Sequence, residues 1–360
     1  MINVTKTHLP ERVKLDKYID KIYQSNWLTN FGQLEQELTH RLKEFLEADN
    51  LLLTSNGTLA MQVAYKALGL TGEVITTPFS FVATTSSLAW EHLTPIFTDI
   101  NPLSLNIDPQ RIAEKITAKT SAILPVHVFG RACDITQIQE IADKNRLKVI
   151  YDAAHAFNVK TTNGTNILNY GDASTLSFHA TKIFHTIEGG AIISKDANFI
   201  KECKKLINFG ITGYDKIEGQ GTNCKMNEFA AAMGLAVLDD IDYVMAERER
   251  VDMAYRELLP ANILPQTINI ANNNHAYFPV LFKDEIECLK VRDALLANKI
   301  MPRRYFYPSL DTLDYVGTQY CPISRDIASR ILCLPMYDSL SNQEINHICN
   351  IVNGSIGSDK

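Results

Sequence analysis

None of the seven scattered cysteines stands in a CxxC pair, and their number is odd, which argues against a disulfide framework or a zinc knuckle. They read as reduced, structural thiols of a cytoplasmic protein. No apolar run reaches the length of a membrane span, and the opening residues Met1 to His8 lack the apolar core of a signal peptide. Charge of one sign is also missing. The chain carries 35 Lys and Arg against 41 Asp and Glu, interspersed, for a formal net charge of -6. That balance offers no footprint for nucleic acid or an anionic membrane. His127, His179 and His185 do not fall at metal-site spacing, so no metal is expected. No GxGxxG follows the first strand-helix turn, which sets a dinucleotide-binding dehydrogenase aside. Internal repeats and low-complexity linkers are absent, and only a polar loop at 272–274 and a fraying tail at 355–360 interrupt the pattern. A cytoplasmic protein acting on a small molecule remains.

What is present is alternation. At 360 residues the chain exceeds the size at which single cores stop growing, so two domains are expected. Leu34, Leu38, Leu42, Phe45 and Leu46 recur at helical spacing, as do Leu59, Ala60, Val63, Ala64, Ala67 and Leu68. Short apolar runs lie at 51–53, 74–75, 95–97, 122–124, 149–151, 175–178 and 191–193. Buried strands separated by helix-length segments imply an α/β fold with a mostly parallel sheet covered on both faces. Past Asn223 a long helical stretch is expected, with Asp239-Asp240 and the run Glu247-Arg248-Glu249-Arg250 as solvated faces. The boundary is placed near Asp242, giving a large domain over 1–242 and a small C-terminal α/β domain over 243–360. In the latter, a strand is expected over 275–282 and helices over 284–298 and 342–352.

Ligands in such folds sit beyond the carboxyl ends of the strands, and the chemistry-bearing residues fall there. Lys182 lies between two apolar runs, in surroundings that would desolvate its ammonium, lower its pKa and make it a nucleophile able to form a Schiff base. The alternative is a loop lysine whose stem covers apolar surface. Asp152 ends the run 149–151, where an unpaired charge would be costly. It needs a cationic partner such as a protonated pyridine nitrogen, the pairing that tunes pyridoxal phosphate. Otherwise it caps the next helix or pairs with Arg131 or Lys148. Ser55-Asn56-Gly57-Thr58 joins a strand to a helix start, so the N–H groups of Gly57 and Thr58 could hold a phosphate, unless the segment is a plain N-cap. Phe81 is either a ring-stacking or a core aromatic. His155 could bond a ring oxygen, orient Asp152 or be structural.

Together these runs resemble the DegT-type sugar-nucleotide aminotransferases of fold-type I, over nearly the whole chain. The matching segments are Trp27-Leu28-Thr29-Asn30-Phe31-Gly32, Ser55-Asn56-Gly57-Thr58, Asp152-Ala153-Ala154-His155, Ser177-Phe178-His179-Ala180-Thr181-Lys182 with Glu188-Gly189-Gly190, and Gly221-Thr222-Asn223 leading into Met226-Asn227-Glu228. The resemblance implies that Lys182 binds pyridoxal 5'-phosphate covalently and shuttles the proton, while Asp152 pairs with the pyridinium. It implies phosphate contacts from Gly57, Thr58 and Ser177, ring contacts from Phe81 and His155, and an Asn223 that reaches the cofactor of the neighbouring subunit of a homodimer with shared sites. Arg303, Arg304 and Tyr305 match substrate-binding positions of the second lobe. Cys224 and Ala230 depart from the family pattern near Asn223. The runs 182–190 and 303–308 look most like enzymes making dTDP-4-amino-4,6-dideoxyglucose, a sugar of lipopolysaccharide O-antigens. The implied substrates are a nucleotide-linked keto sugar and glutamate as amino donor. Lys182, where related sugar dehydratases carry histidine, favours amino transfer over that lyase. Transfer at C3, the dehydratase and a non-catalytic regulatory relative stay open as alternatives.

Overall fold

The computed structural model describes residues 1–265 and 273–356, so Asn272 of the polar loop and residues 357–360 of the tail lie outside the described residues. The chain opens with strand β1 (Ile2–Asn3) and helices α1 (Arg12–Ser25) and α2 (Gln33–Phe45). Next come β2 (Asn50–Thr54), α3 (Gly57–Ala67), β3 (Glu73–Thr76), α4 (Val82–Trp90), β4 (Thr94–Phe97), β5 (Thr120–Leu124), α5 (Ile135–Asn145) and β6 (Lys148–Asp152). They are followed by β7 (Ala173–Ser177), β8 (Gly190–Ser194), α6 (Ala197–Leu206) and a hairpin of β9 (Ile211–Gly213) and β10 (Lys216–Ile217). The remainder comprises α7 (Glu228–Leu238), α8 (Ile241–Leu258), β11 (Phe278–Leu281), α9 (Glu285–Ala297), β12 (Ile300–Met301), α10 (Pro322–Arg330), β13 (Ile331–Leu334) and α11 (Asn342–Ser355).

Seven strands form one sheet in the order β2-β8-β7-β6-β5-β3-β4. Strands β3 to β7 run parallel, and β8 is antiparallel to both β7 and β2. This is the mostly parallel α/β sheet that the alternation implies. Successive strand residues point to opposite faces. Leu51 and Leu53 therefore join one core with α2 and α7, whereas Leu52 joins another with Ala60 and Ala64 of α3. Leu34, Leu38 and Leu42 form a buried stripe on α2, and Gly234 lets α7 approach, since a Cβ there would lie 2.8 Å from Leu38 Cδ2.

The second lobe pairs β11 with β13 antiparallel. Behind them Val251, Tyr255, Val291, Leu295, Ile345 and Ile348 build a separate core. Helix α8 begins in the first core with Ile241 and Val244 and ends in the second with Val251 and Tyr255. Asp242 is thus the second residue of a helix that spans both cores. The N-terminus also crosses over, because β1 pairs in parallel with β12 and Ile2 packs on the second core.

Several expectations of the helical stretch need correction. It breaks into α7 and α8 at Asp239 and Asp240, and Asp240 is no solvated face: it pairs with Lys14 and His8. Arg248 is buried, with its guanidinium on the carbonyls of His275 and Ala276. Ser355 does not fray; it is buried and its hydroxyl closes the last turn of α11 on the Ile351 carbonyl. The strand expected over 275–282 shortens to β11.

Two of the sequence segments meet at the start of α2. The buried Glu228 carboxylate accepts the N–H groups of Leu34 at 2.8 Å and Glu35 at 3.0 Å, capping a helix distant in sequence. A side chain at Gly32 would run into this carboxylate, so glycine permits the approach. A negative charge on two otherwise unpaired helix donors is a strong interaction. Glu228→Gln, which keeps the shape but turns one oxygen into a donor, should destabilise the protein by about 2 kcal/mol. Urea unfolding measures this, and an unchanged midpoint would remove the cap from the account.

Candidate functional site

The carboxyl ends of β2, β6 and β7 converge on a cavity of about 280 Å³. Gly57, Thr58, Phe81, Asp152, His155, Ser177, Lys182, Arg303 and Tyr305 all line it. Two sequence candidates do not. Asn223 is exposed on the segment that bridges to Asn208. Arg304 turns into the second lobe, where its guanidinium donates to Glu285 at 2.7 Å and to the Ser329 carbonyl at 2.5 Å, and stacks on Tyr307. Its charge is already matched there, which corrects the expectation of a substrate contact.

At one wall stands the N-terminus of α3. The Asn56 side chain accepts the Leu59 N–H at 2.8 Å, so the N-cap reading holds. The N–H groups of Gly57 and Thr58, which come before the capped one, have no intrahelical partners, and both residues line the cavity. The helix can sit here because two positions lack a Cβ. One on Gly57 would lie 2.9 Å from Ser177 Cβ, and one on Gly190 would lie 2.7 Å from the Asn56 carbonyl carbon and the Gly57 nitrogen. A positive helix end with free donors beside the Thr58 and Ser177 hydroxyls suits a phosphate.

Asp152 enters from the end of β6 and is buried. Thr84 Oγ1 donates to one carboxylate oxygen at 2.7 Å, and the Ala154 N–H donates to the other at 3.1 Å. Burial raises the carboxyl pKa, while these donors and the nearby Lys182 ammonium act against that. Of the alternatives, no helix starts after Asp152 for it to cap, since its contact with Ala154 closes only a local turn, and Lys148 bonds Asp172 instead. His155 lies parallel to Phe306 and edge-on to Tyr277, and its buried Nδ1 has no partner within the protein. Burial holds the imidazole neutral.

Lys182 sits on a loop closed by the Phe178 N–H on the Gly189 carbonyl and the Thr186 N–H on the Phe178 carbonyl. A side chain on Gly189 would collide with Thr186 Oγ1, so the Gly-Gly pair permits this closure. Burial lowers the Lys182 pKa to about 8, against the opposing pull of Asp152. A useful fraction of neutral amine is therefore present near pH 8.

Sequence reasoning missed Thr84, whose hydroxyl is held by Ser80 Oγ at 2.8 Å, and Tyr277, which receives Lys182 Nζ at 3.2 Å. The Ser80-to-Thr84 spacing of one helical turn was a readable signal. Nothing local marked Tyr277.

Residues 11–353 match the DegT/DnrJ/EryC1/StrS aminotransferase family. The chain belongs to this family. It is 40% identical to the dTDP-4-amino-4,6-dideoxy-D-glucose transaminase of Escherichia coli over 99% of both chains. It is 42% identical to the enzyme of that name from Shigella dysenteriae over 98% of both. Among solved structures, DesI in the presence of its TDP-sugar product matches with a TM-score of 0.90 at 34% identity, covering 98% of this chain and 92% of DesI. PseC of Helicobacter pylori shares the fold, with a TM-score of 0.90 at 24% identity over 99% of each chain. An aminotransferase of this family depends on pyridoxal phosphate. The cavity fits that group: free helix donors stand at one wall, a buried carboxylate and an amine lie within, and His155 Nδ1 awaits a partner.

The close crossing of β8 beneath α3 can be tested directly. Gly190→Ala should push the helix start away, costing about 1–3 kcal/mol of stability and weakening binding of pyridoxal phosphate at least tenfold. Fluorescence titration of the apoprotein checks the affinity, and unaltered binding would mean that the helix end does not hold the phosphate.

Proposed function

We propose that the protein transfers the amino group of glutamate to C4 of a nucleotide-linked 4-keto-6-deoxyhexose, giving an amino-dideoxy sugar nucleotide. The observation that carries this reading is the placement of an amine, Lys182 Nζ, and a buried carboxylate, Asp152, in one cavity at the positive end of α3. The two transaminases at 40% and 42% identity, both of a 4-amino-4,6-dideoxyglucose nucleotide, support the sugar and its position.

Pyridoxal phosphate, when bound, supplies the electron sink on which the amino group is exchanged. The chain's own residues hold and tune it. The N–H groups of Gly57 and Thr58, with the Thr58 and Ser177 hydroxyls, bind the phosphate. Asp152, oriented by Thr84 and the Ala154 N–H, keeps the ring nitrogen protonated. Phe81, half exposed and lining the cavity, would pack against the cofactor ring, and His155 Nδ1, buried without a partner, would find one in the bound group. Lys182 Nζ, with its lowered pKa, takes up a proton in one half-reaction and returns it in the other. Arg303 and Tyr305 line the same cavity from the second lobe, where they would contact the substrate.

The proposal includes a homodimer with shared sites. Exposed Leu28, Ile187 and Phe209 support it, since they place apolar surface beside Glu228, on the Lys182 loop and next to Asn223. Asn223 would then reach the neighbouring cofactor. Among the described residues no helix is long and apolar enough to cross a membrane. The seven cysteines are unpaired and buried, which supports a cytoplasmic location.

The reading is checked by the visible absorption spectrum of the purified protein with pyridoxal phosphate. The band of lysine-bound cofactor should appear, and glutamate should convert it to the band of the aminated cofactor. The dTDP-linked 4-keto-6-deoxyglucose should then restore the first band and give the 4-amino sugar, whereas the 3-keto isomer should not. Lys182→Ala should lose the band and slow amino transfer by roughly 10²- to 10⁴-fold. Loss of a sugar hydroxyl without amine incorporation would replace this reading with a dehydratase.

A further inference from the structure

We infer that Tyr277 is a further catalytic residue, whose phenol oxygen receives the free Lys182 amine and holds it in the cavity whenever the amine is not bound to the cofactor. Lys182 Nζ stands 3.2 Å from Tyr277 Oη, and the same Nζ lies 5.8 Å from the centre of the tyrosine ring. The inference rests on the reading of Lys182 as the reactive amine.

The phenol comes from the other lobe and its position is over-determined. Asn274, buried just before it, donates from Nδ2 to the carbonyls of His155 at 2.8 Å and Phe157 at 3.0 Å. Its Oδ1 accepts the Ala276 N–H at 3.2 Å. Arg248 holds the carbonyls of His275 and Ala276 from behind. The ring is fixed edge-on by His155 at 4.8 Å and by Tyr305 at 5.5 Å between centroids. An acceptor built this firmly on the second lobe, meeting an amine on a loop of the first, does more than fill space.

Burial pushes the Tyr277 hydroxyl far above its ordinary pKa, so it stays a neutral phenol. Such a group serves both forms of the amine. It accepts a hydrogen bond from the ammonium, and after proton loss it turns its own hydrogen toward the amine lone pair. The first bond is charge-assisted and the stronger of the two. By this geometry Tyr277 favours the ammonium, in the same direction as Asp152 and Tyr305, which pull the Lys182 pKa upward against desolvation. The other groups facing this pair are Asp152 and His155 at the end of β6, Arg303 and Tyr305 from the second lobe, His179 and Glu188 on the lysine's own loop, and Arg248 and Cys333 behind the tyrosine. None of these others has a hydrogen bond to Lys182 Nζ within the described residues.

The test is Tyr277→Phe, which removes one oxygen and keeps the ring contacts to His155 and Tyr305. The readout uses the apoprotein: the rate at which a limiting amount of acetic anhydride labels Lys182, followed by peptide mass spectrometry, is measured against pH. The midpoint gives the amine pKa without cofactor or turnover. The sign follows from the stronger bond to the charged form. Losing it should lower the midpoint by on the order of one pH unit. A midpoint that stays or rises overturns the inference and leaves Tyr277 as packing. Capture of pyridoxal phosphate by the unaltered protein, run alongside, separates the two readings. If that protein forms no lysine-bound band, the proposed function fails; if it does and the midpoints coincide, only the role of Tyr277 fails.

Discussion

The site depends on one close crossing, where the start of α3 rests on the ends of β7 and β8. Backbone meets backbone there, with a Cβ on Gly190 or Gly57 too near its neighbours by several tenths of an ångström. Because the strands pass so closely, the helix end opens onto the same space as Ser177 and the loop of Lys182. The antiparallel insertion of β8 between β2 and β7 makes this geometry possible. It returns the chain from the lysine loop directly under the helix it serves. A parallel strand would have needed a crossover of a dozen residues or more, and the loop could not have stayed tight.

The electrostatics follow from burial. Asp152 and Lys182 both leave water, and each is pushed toward its neutral form: the carboxyl upward, the ammonium down to about 8. Each also pulls the other back toward charge. Thr84 and the Ala154 N–H add donors to the carboxylate, so its charged state is kept for a cationic partner. The amine is instead left close to the midpoint between base and acid, which suits a group that must both take and give a proton.

How much of this was legible in the sequence divides along the range of the interactions. Gly57, Thr58, Asp152, Ser177 and Lys182 stand at strand ends or in glycine-marked turns, where local pattern and position speak together, and the structure brings them into one cavity. Thr84 was one helical turn from Ser80 and could have been read. Tyr277 could not, because its meaning lies in a lysine 95 positions away on another lobe. The same limit explains the errors. Arg248 and Asp240 looked like solvated charges because their partners, the carbonyls of His275 and Ala276 and the side chains of Lys14 and His8, lie in other segments. Arg303 and Arg304 were indistinguishable as neighbours, yet a bridge between Arg303 and Cys333 directs one toward the cavity and the other toward Glu285.

The N-terminal segment shows how the two lobes are made to share the lysine loop. The ring of His8 bonds Asp338 of the second lobe at 2.7 Å and Asp240 at the start of α8 at 3.3 Å. Its hydrogen bond to Asp338 leads the effects that favour the charged form of His8. Its carbonyl accepts from His185 Nε2 at 2.7 Å, and His185 Nδ1 in turn accepts the Ile187 N–H on the loop of Lys182. The strap is thus tied to both lobes by its side chain and to the lysine loop by its backbone. With Tyr277 reaching the amine from the second lobe, the loop is held from its own strands, from the strap and from across the cavity. A reactive amine on a glycine-rich turn would otherwise sample many positions, and fixing it against rigid elements is what lets a modest cavity orient it.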